Sequence, residues 1–170
     1  MSDNNADSAR RSLVHLLRLA YSGELAAVLA YEGHLMAVFD KQEKRDIRKI
    51  QNDEVEHRNR VKYILNQLGE RPSLIREIVM WCIGSTVGLV CLLTKYFPMS
   101  WFFAMYGAGK LEANNILEYS HAAEFAVRAG MPHLVPDLMG MSNTEREHEE
   151  YFYQKVISHC MSRHVLVWRL

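Results

Sequence analysis

Asp53-Glu54-Val55-Glu56-His57 in the first half of the chain and Glu145-Arg146-Glu147-His148 in the second decide how this sequence is read. Each holds a Glu-x-x-His, which sets a carboxylate and an imidazole on one helical face, because residues three apart are neighbours there. Upstream of each stands a glutamate in apolar surroundings. Glu24 precedes Glu54 by 30 residues (54 − 24), and Glu112 precedes Glu145 by 33 (145 − 112). One layout is therefore used twice. Four carboxylates and two imidazoles in this order are what a two-metal site inside a four-helix bundle takes, with each lone glutamate on a partner helix. The donor set suits a mid-row metal such as iron or manganese.

The spacing alone carries little weight. Fourteen glutamates and 8 histidines in 170 residues give about 0.7 chance Glu-x-x-His pairs (14 × 8 / 170), and a third pair, Glu118-x-x-His121, is present. The weight comes from the doubled layout and from the neighbours of the lone glutamates. Glu24 shares its helical face with Ala20, Tyr21, Ala27, Val28, Tyr31 and Leu35. Glu112 shares its own with Met105, Ala108, Gly109, Ile116 and Tyr119, and Asn115 is the one other polar group. A carboxylate in such a stripe is costly unless it is paired or binds a metal. Glu118 falls about 120° around the helix from Glu112 and cannot readily face the same centre. Glu32 and Glu124 read as solvated or salt-bridged. Glu56, Glu147, Glu149 and Glu150 read as exposed charges or as groups supporting the ligands. Tyr21 and Tyr31 read as packing, and Tyr119 as either packing or a phenol beside the site.

At 170 residues the chain is expected to form a single domain, 1–170, with one sizeable core. Lys+Arg and Asp+Glu balance at 20 each, which argues against nucleic-acid binding. Cys82, Cys91 and Cys160 are odd in number and scattered, which favours a reducing compartment. The polar start MSDNNADSARRS has no apolar core of a secretory signal.

Sustained alternation is nearly absent, and period-3.6 patterns predict an all-α chain. The predicted helices run from about Ala6 to Asp40, Lys41 to Leu68 with Gly69 as stop, a segment opened by Pro72 and Ser73, a fourth through Glu112 to Arg128 ending at Gly130, and a fifth from about Pro136 to Met161. Residues 78–94 carry no charge, and Lys95 and Pro98 end the run. It can be a buried bundle element, a helix lying in a membrane interface or a true span. Trp81, Tyr96, Trp101, Phe102, Phe103 and Tyr106 cluster around it, as aromatic rings do at an interface or around a flat apolar ligand.

Ser22-Gly23-Glu24, Asp53-Glu54-Val55-Glu56-His57, Leu111-Glu112 and Glu145-Arg146-Glu147-His148, with Arg71-Pro72 and the apolar Trp81…Gly84…Gly88 stretch between the halves, resemble the demethoxyubiquinone hydroxylases. The resemblance covers roughly Leu17 to Phe152. It implies a ferritin-like four-helix bundle with an extra apolar helical segment at about 73–98. It also implies a di-iron monooxygenase that uses dioxygen (O2) to hydroxylate the ring of a prenylated quinone in ubiquinone biosynthesis. Carried over, Glu54 and Glu145 bridge two iron ions, Glu24 and His57 complete one, and Glu112 and His148 the other. Two positions depart from the family pattern: Ala113 replaces a second glutamate, and Glu118 replaces the histidine before Tyr119. The implied setting is peripheral on the cytoplasmic face of a membrane, or on the matrix side of the mitochondrial inner membrane. NADH is the candidate electron donor, and a second copy of the chain or a lipid-binding protein the candidate partner. The competing function is a ferritin- or rubrerythrin-like iron oxidase or peroxide scavenger, which has no use for the apolar 78–109 region.

Overall fold

The computed structural model describes residues 2–97 and 99–168, with side chains from residue 5 onward. It is all-helical, with no strand among the described residues. Its helices are α1 (Ser2–Ala37), α2 (Lys41–Gln67), α3 (Leu74–Thr94), α4 (Ser100–Arg128) and α5 (Val135–Ser158). Short 3₁₀ turns, Pro132–Leu134 and Cys160–His164, flank α5.

Local chemistry sets the boundaries. Asp40 is extended and its carboxylate accepts the Glu43 N–H at 2.8 Å, which caps α2 and leaves α1 to end at Ala37 rather than Asp40. Gly69 and Gly130 take φ of 70° and 76°, where a Cβ would clash. The following residues close each end: Glu70 N–H reaches Leu65 C=O at 2.9 Å, and Met131 N–H reaches Ala126 C=O at 2.8 Å. The predicted break at Pro98 lies outside the described residues.

Helices α1, α2, α4 and α5 form the bundle. α1 packs against both α2 and α4, α4 packs against α5, and α2 and α5 touch sparingly. Two apolar layers fill the bundle. One holds Leu13, Leu17, Val61, Ile64, Tyr119, Leu134 and Leu138. The other holds Tyr31, Leu35, Ile47, Phe102, Met105, Phe152 and Val156. The six sequence-predicted ligands lie among the buried polar groups of the same bundle. Apolar packing accumulates on the order of 25 cal/mol per Å² buried, so these layers can carry the fold around polar groups that do not add to it.

Helix α3 removes one of the three readings open for residues 78–94. It is not a buried bundle element: only Gly84 and Gly88 are buried, while Ile78, Val79, Trp81, Ile83, Val87, Leu89, Val90 and Leu93 are exposed. The physical cause is a narrow seam. α3 runs parallel to α1 and meets it through glycine, so that a Cβ on Gly84 would lie 2.5 Å from Ala26 O and one on Gly88 2.7 Å from Leu29 O. Apart from a slight contact with α4 near its end, no described element covers the other faces. The expected aromatic wall is also divided. Trp81, Tyr96 and Phe103 point outward and Phe102 is buried. Tyr106 turns to the C-terminal segment, donating to Leu166 O at 2.8 Å.

Candidate metal centre

α1 and α4 run antiparallel, as do α2 and α5, and each supplies donors from the middle of its length. Glu24, Glu54, His57, Glu112, Glu145 and His148 are all buried, and Glu54 and Glu145 are 0% exposed. They converge as two overlapping sets. One atom each from Glu24, Glu54, His57 and Glu145 lies within 4.8 Å of the others, and so does one each from Glu54, Glu112, Glu145 and His148. Glu54 and Glu145 belong to both sets, as a bridging role requires.

Each imidazole meets the carboxylate of the other half. His57 Nδ1 is 2.9 Å from Glu145 Oε1 and 3.6 Å from Glu54 Oε2. His148 Nδ1 is 3.2 Å from Glu54 Oε1 and 3.5 Å from Glu145 Oε2, without hydrogen-bond alignment. His148 Nε2 faces Asp53 Oδ2 at 3.0 Å. That bond orients the ring with Nδ1 toward the cluster, as a carboxylate behind a metal-binding histidine does.

Two phenols cross between the helices. Tyr31 of α1 donates to Glu112 of α4, and Tyr119 of α4 donates to Glu24 of α1. Asn115 Nδ2 donates to Glu112 Oε2 at 3.2 Å. Tyr31 is therefore not plain packing. A signal was present in the sequence: Tyr31 follows Glu24 by seven residues, as Tyr119 follows Glu112.

Crowded carboxylates cannot all be charged in a dry interior. Burial, with the nearby charge of Glu54 and Glu145, pushes the Glu24 and Glu112 carboxyls well above the usual range. Burial also acts to raise Glu54, but the His148 and His57 imidazoles, 3.2 and 3.6 Å from its oxygens, outweigh burial and hold that group low. Burial acts to lower both imidazoles, yet the Glu145 and Glu54 carboxylates facing them raise His57 to about 9 and His148 to about 10. Both phenols are raised by burial and stay protonated donors.

The arrangement fits metal ions by a structural criterion. Glu24 Oε2, both Glu54 oxygens, Glu145 Oε2 and His148 Nδ1 are buried without a hydrogen-bond partner. Orphaned buried polar atoms are destabilising and call for a partner. Carboxylate oxygens and an imidazole nitrogen gathered on one centre are hard and borderline donors for divalent cations.

The remaining acidic residues are placed apart. Glu118 is half-buried and belongs to neither set; burial raises its carboxyl to about 7. His121 is exposed. Glu32 pairs with Arg48 at 3.1 Å, and Glu56, Glu124, Glu147 and Glu150 are exposed. Glu149 differs from the expected exposed charge. It is buried and accepts the Trp168 indole N–H at 2.6 Å. A Cβ on Gly109 would strike that indole, so the glycine makes room for the C-terminal segment.

Comparison with known proteins agrees with this geometry over part of the chain. The family model described as "Ubiquinone biosynthesis protein COQ7" matches residues 11–100, more than half of the chain. A relative from Aromatoleum aromaticum, named 3-demethoxyubiquinol 3-hydroxylase, is 32% identical over 79 residues. That alignment covers 46% of this chain and 37% of the relative, so the chain matches well under half of that protein's length. No solved structure matches. The matched region carries Glu24, Glu54 and His57, while Glu112, Glu145 and His148 lie beyond it and join the cluster through the fold. With more than half of its length matched and the doubled layout closing on one buried centre, the chain belongs to the ubiquinone biosynthesis protein COQ7 family.

Proposed function

We propose that the chain is a hydroxylase that uses dioxygen to place a hydroxyl group on the ring of a prenylated quinone in ubiquinone biosynthesis. The observation that carries this reading is the pair of four-donor sets sharing Glu54 and Glu145 inside an apolar bundle. Glu24 and His57 would complete one iron site, and Glu112 and His148 the other. Bound iron would supply the redox chemistry toward dioxygen. One oxygen atom enters the ring and the other leaves as water. The balance takes two electrons and two protons from a reductant, for which a reduced nicotinamide such as NADH is the candidate.

The chain's own residues prepare the site for this. Tyr31 and Tyr119 keep their protons and hold the outer carboxylates Glu112 and Glu24 in place. Asp53 orients the His148 ring. Phe102, Met105 and Phe152, all fully buried, keep water from one side of the centre, where it would compete for reactive groups. The exposed apolar faces of α3 support a peripheral seat on a bilayer, from which a long-tailed substrate would arrive. Both α3 and α1 are long and apolar enough by composition to cross a membrane. The apolar stretch of α1 is 39% buried against 11% for α3, so we assign the bilayer contact to α3.

The test is expression in a strain that lacks its own demethoxyubiquinone hydroxylase, with quinone analysis and metal content on the purified protein. Restored ubiquinone with about two irons per chain is the expected result, as in other two-metal enzymes. Precursor that accumulates despite iron-loaded protein would refute the substrate. Rapid conversion of ferrous iron to mineral would favour the iron-oxidase alternative.

A further inference from the structure

His34 belongs to none of the groups discussed above. It is 4% exposed, and its Nε2 is buried with no hydrogen-bond partner. A buried polar nitrogen left alone is destabilising, and its survival asks for a ligand. His34 lines a crevice of about 60 Å³ between the end of α1, the end of α3 and the start of α4, together with Phe39, Cys91, Lys95, Trp101 and Ala104.

His34 itself brings no charge to the crevice. Burial lowers the His34 imidazole to about 4, so it is neutral at ordinary pH. The Trp101 indole N–H is already given to Glu43 Oε2 at 3.0 Å, which leaves that ring to act as an apolar surface. Lys95 Nζ sits 5.0 Å over the Tyr96 ring. With Ser100 and Lys95 as the other polar residues of the lining, His34 offers one neutral nitrogen among walls that are otherwise aromatic and apolar. A neutral imidazole nitrogen donates to a carbonyl in one tautomer and accepts from a hydroxyl in the other. The matching ligand is an uncharged flat ring bearing an oxygen.

The position of the crevice joins the lipid side to the cluster. Its lining residue Phe39 is 66% exposed and lies 5.8 Å from Tyr96, which is 76% exposed. These rings continue the exposed apolar end of α3 at Leu93 and Phe97. Inward, His34 stacks on Tyr31 at 6.4 Å. Three residues separate them on α1, one turn or about 4.5 Å of rise. Tyr31 in turn bonds Glu112.

We propose that this crevice seats the ring oxygen of a lipid-borne quinone or phenol, with His34 as its hydrogen-bonding partner and Tyr31 between the ring and the carboxylate–imidazole cluster. The proposal rests on the hydroxylase reading and adds to it a substrate-binding residue. The crevice takes the oxygen and the adjoining ring edge, and the rest of the ring and the tail lie across Phe39 and Tyr96.

Binding can be tested without turnover, on the full chain in detergent, by equilibrium dialysis of a decyl-tailed benzoquinone and of decylbenzene, which lacks the oxygens. His34→Leu should weaken the quinone about 10-fold, the scale of one net hydrogen bond, and leave decylbenzene unchanged. His34→Gln, which still donates and accepts, should stay within about 3-fold. Ala104→Leu, which fills the crevice, should weaken both probes. Wild-type quinone affinity in His34→Leu or in Ala104→Leu overturns the proposal, as does equal weakening of both probes by His34→Leu. A chain that binds quinone through His34 yet fails to restore ubiquinone refutes the hydroxylase reading alone. One that restores ubiquinone with an unchanged KM in His34→Leu refutes the crevice alone.

Discussion

Gly84→Ala separates backbone contact from every other reason to keep a glycine. The added Cβ would stand 2.5 Å from Ala26 O and 2.6 Å from Ala26 Cα. Ordinary carbon contacts sit at roughly 3.5–4.0 Å, so α3 must retreat from α1 by roughly 1 Å. The obstacle is helix backbone, which cannot rotate aside as a side chain does. The cost therefore falls near the top of the overpacking range, about 3 kcal/mol. Alanine returns about 1 kcal/mol of helix propensity. The net loss is about 2 kcal/mol, or a fall in Tm of about 4–8 °C for a domain of this size. Gly107→Ala is the control. It lies in α4, and nothing stands within 4 Å of its added Cβ, so only the propensity gain of up to about 1 kcal/mol applies. Both variants are compared with wild type by thermal melts followed in far-ultraviolet circular dichroism. A Gly84→Ala protein as stable as wild type, or raised in step with Gly107→Ala, would refute the close-contact reading of the seam.

Other outcomes follow from the same geometry. Glu54→Ala removes a donor common to both four-atom sets, so metal content should drop from about two per chain to below one while the circular dichroism stays helical. Two bound metals per chain in that variant would take Glu54 out of the site. In metal-free protein, His57 and His148 are raised above their usual value to about 9 and about 10. Their stabilising contribution is complete below about pH 6.5 and is lost as pH climbs through those values, so Tm should fall between pH 7 and 10. A Tm that is flat or rising over that range would contradict the ion-paired cluster. Metal competes with protons for the same donor atoms, so its apparent affinity should rise with pH across the same window, read by titration with ferrous iron under anaerobic conditions. Carbonate washing should release the protein from native membranes. Retention in the pellet would mean that α3 spans the bilayer.

Features set by neighbours in sequence were legible, and features set by neighbours in space were not. The glycine stops at 69 and 130 and the Glu-x-x-His faces depend on spacing within one helix, whereas the Asp40 cap, which ends α1 early, was passed over. The convergence of six donors was readable because the layout occurs twice. The exposure of α3 was not, since an uncharged run looks the same whether a partner helix covers it or not. Tyr31 was misread for a similar reason. Whether a phenol packs or hydrogen-bonds depends on the register between α1 and α4, to which the shared seven-residue spacing from glutamate to tyrosine was the one clue. Glu149 looked like one more surface charge because its partner, Trp168, lies 19 residues away and folds back to meet it.

The two tyrosine crossings share one register. Tyr31 with Glu112 and Glu24 with Tyr119 have residue numbers of equal total, 143, as antiparallel helices in a fixed alignment require. Seven residues, about 10.5 Å of helix, separate the crossings along each helix. They behave like two pins through a pair of rods: an axial slide of either rod strains both pins at once. Shear between α1 and α4 is resisted at both ends of the cluster. Opposite, α2 and α5 are joined less through close backbone packing than through side chains, His57 with Glu145, His148 with Asp53 and Lys155 with Glu43. The α1–α4 side of the bundle is thus held in register by neutral phenols, and the α2–α5 side by charged groups that answer to pH.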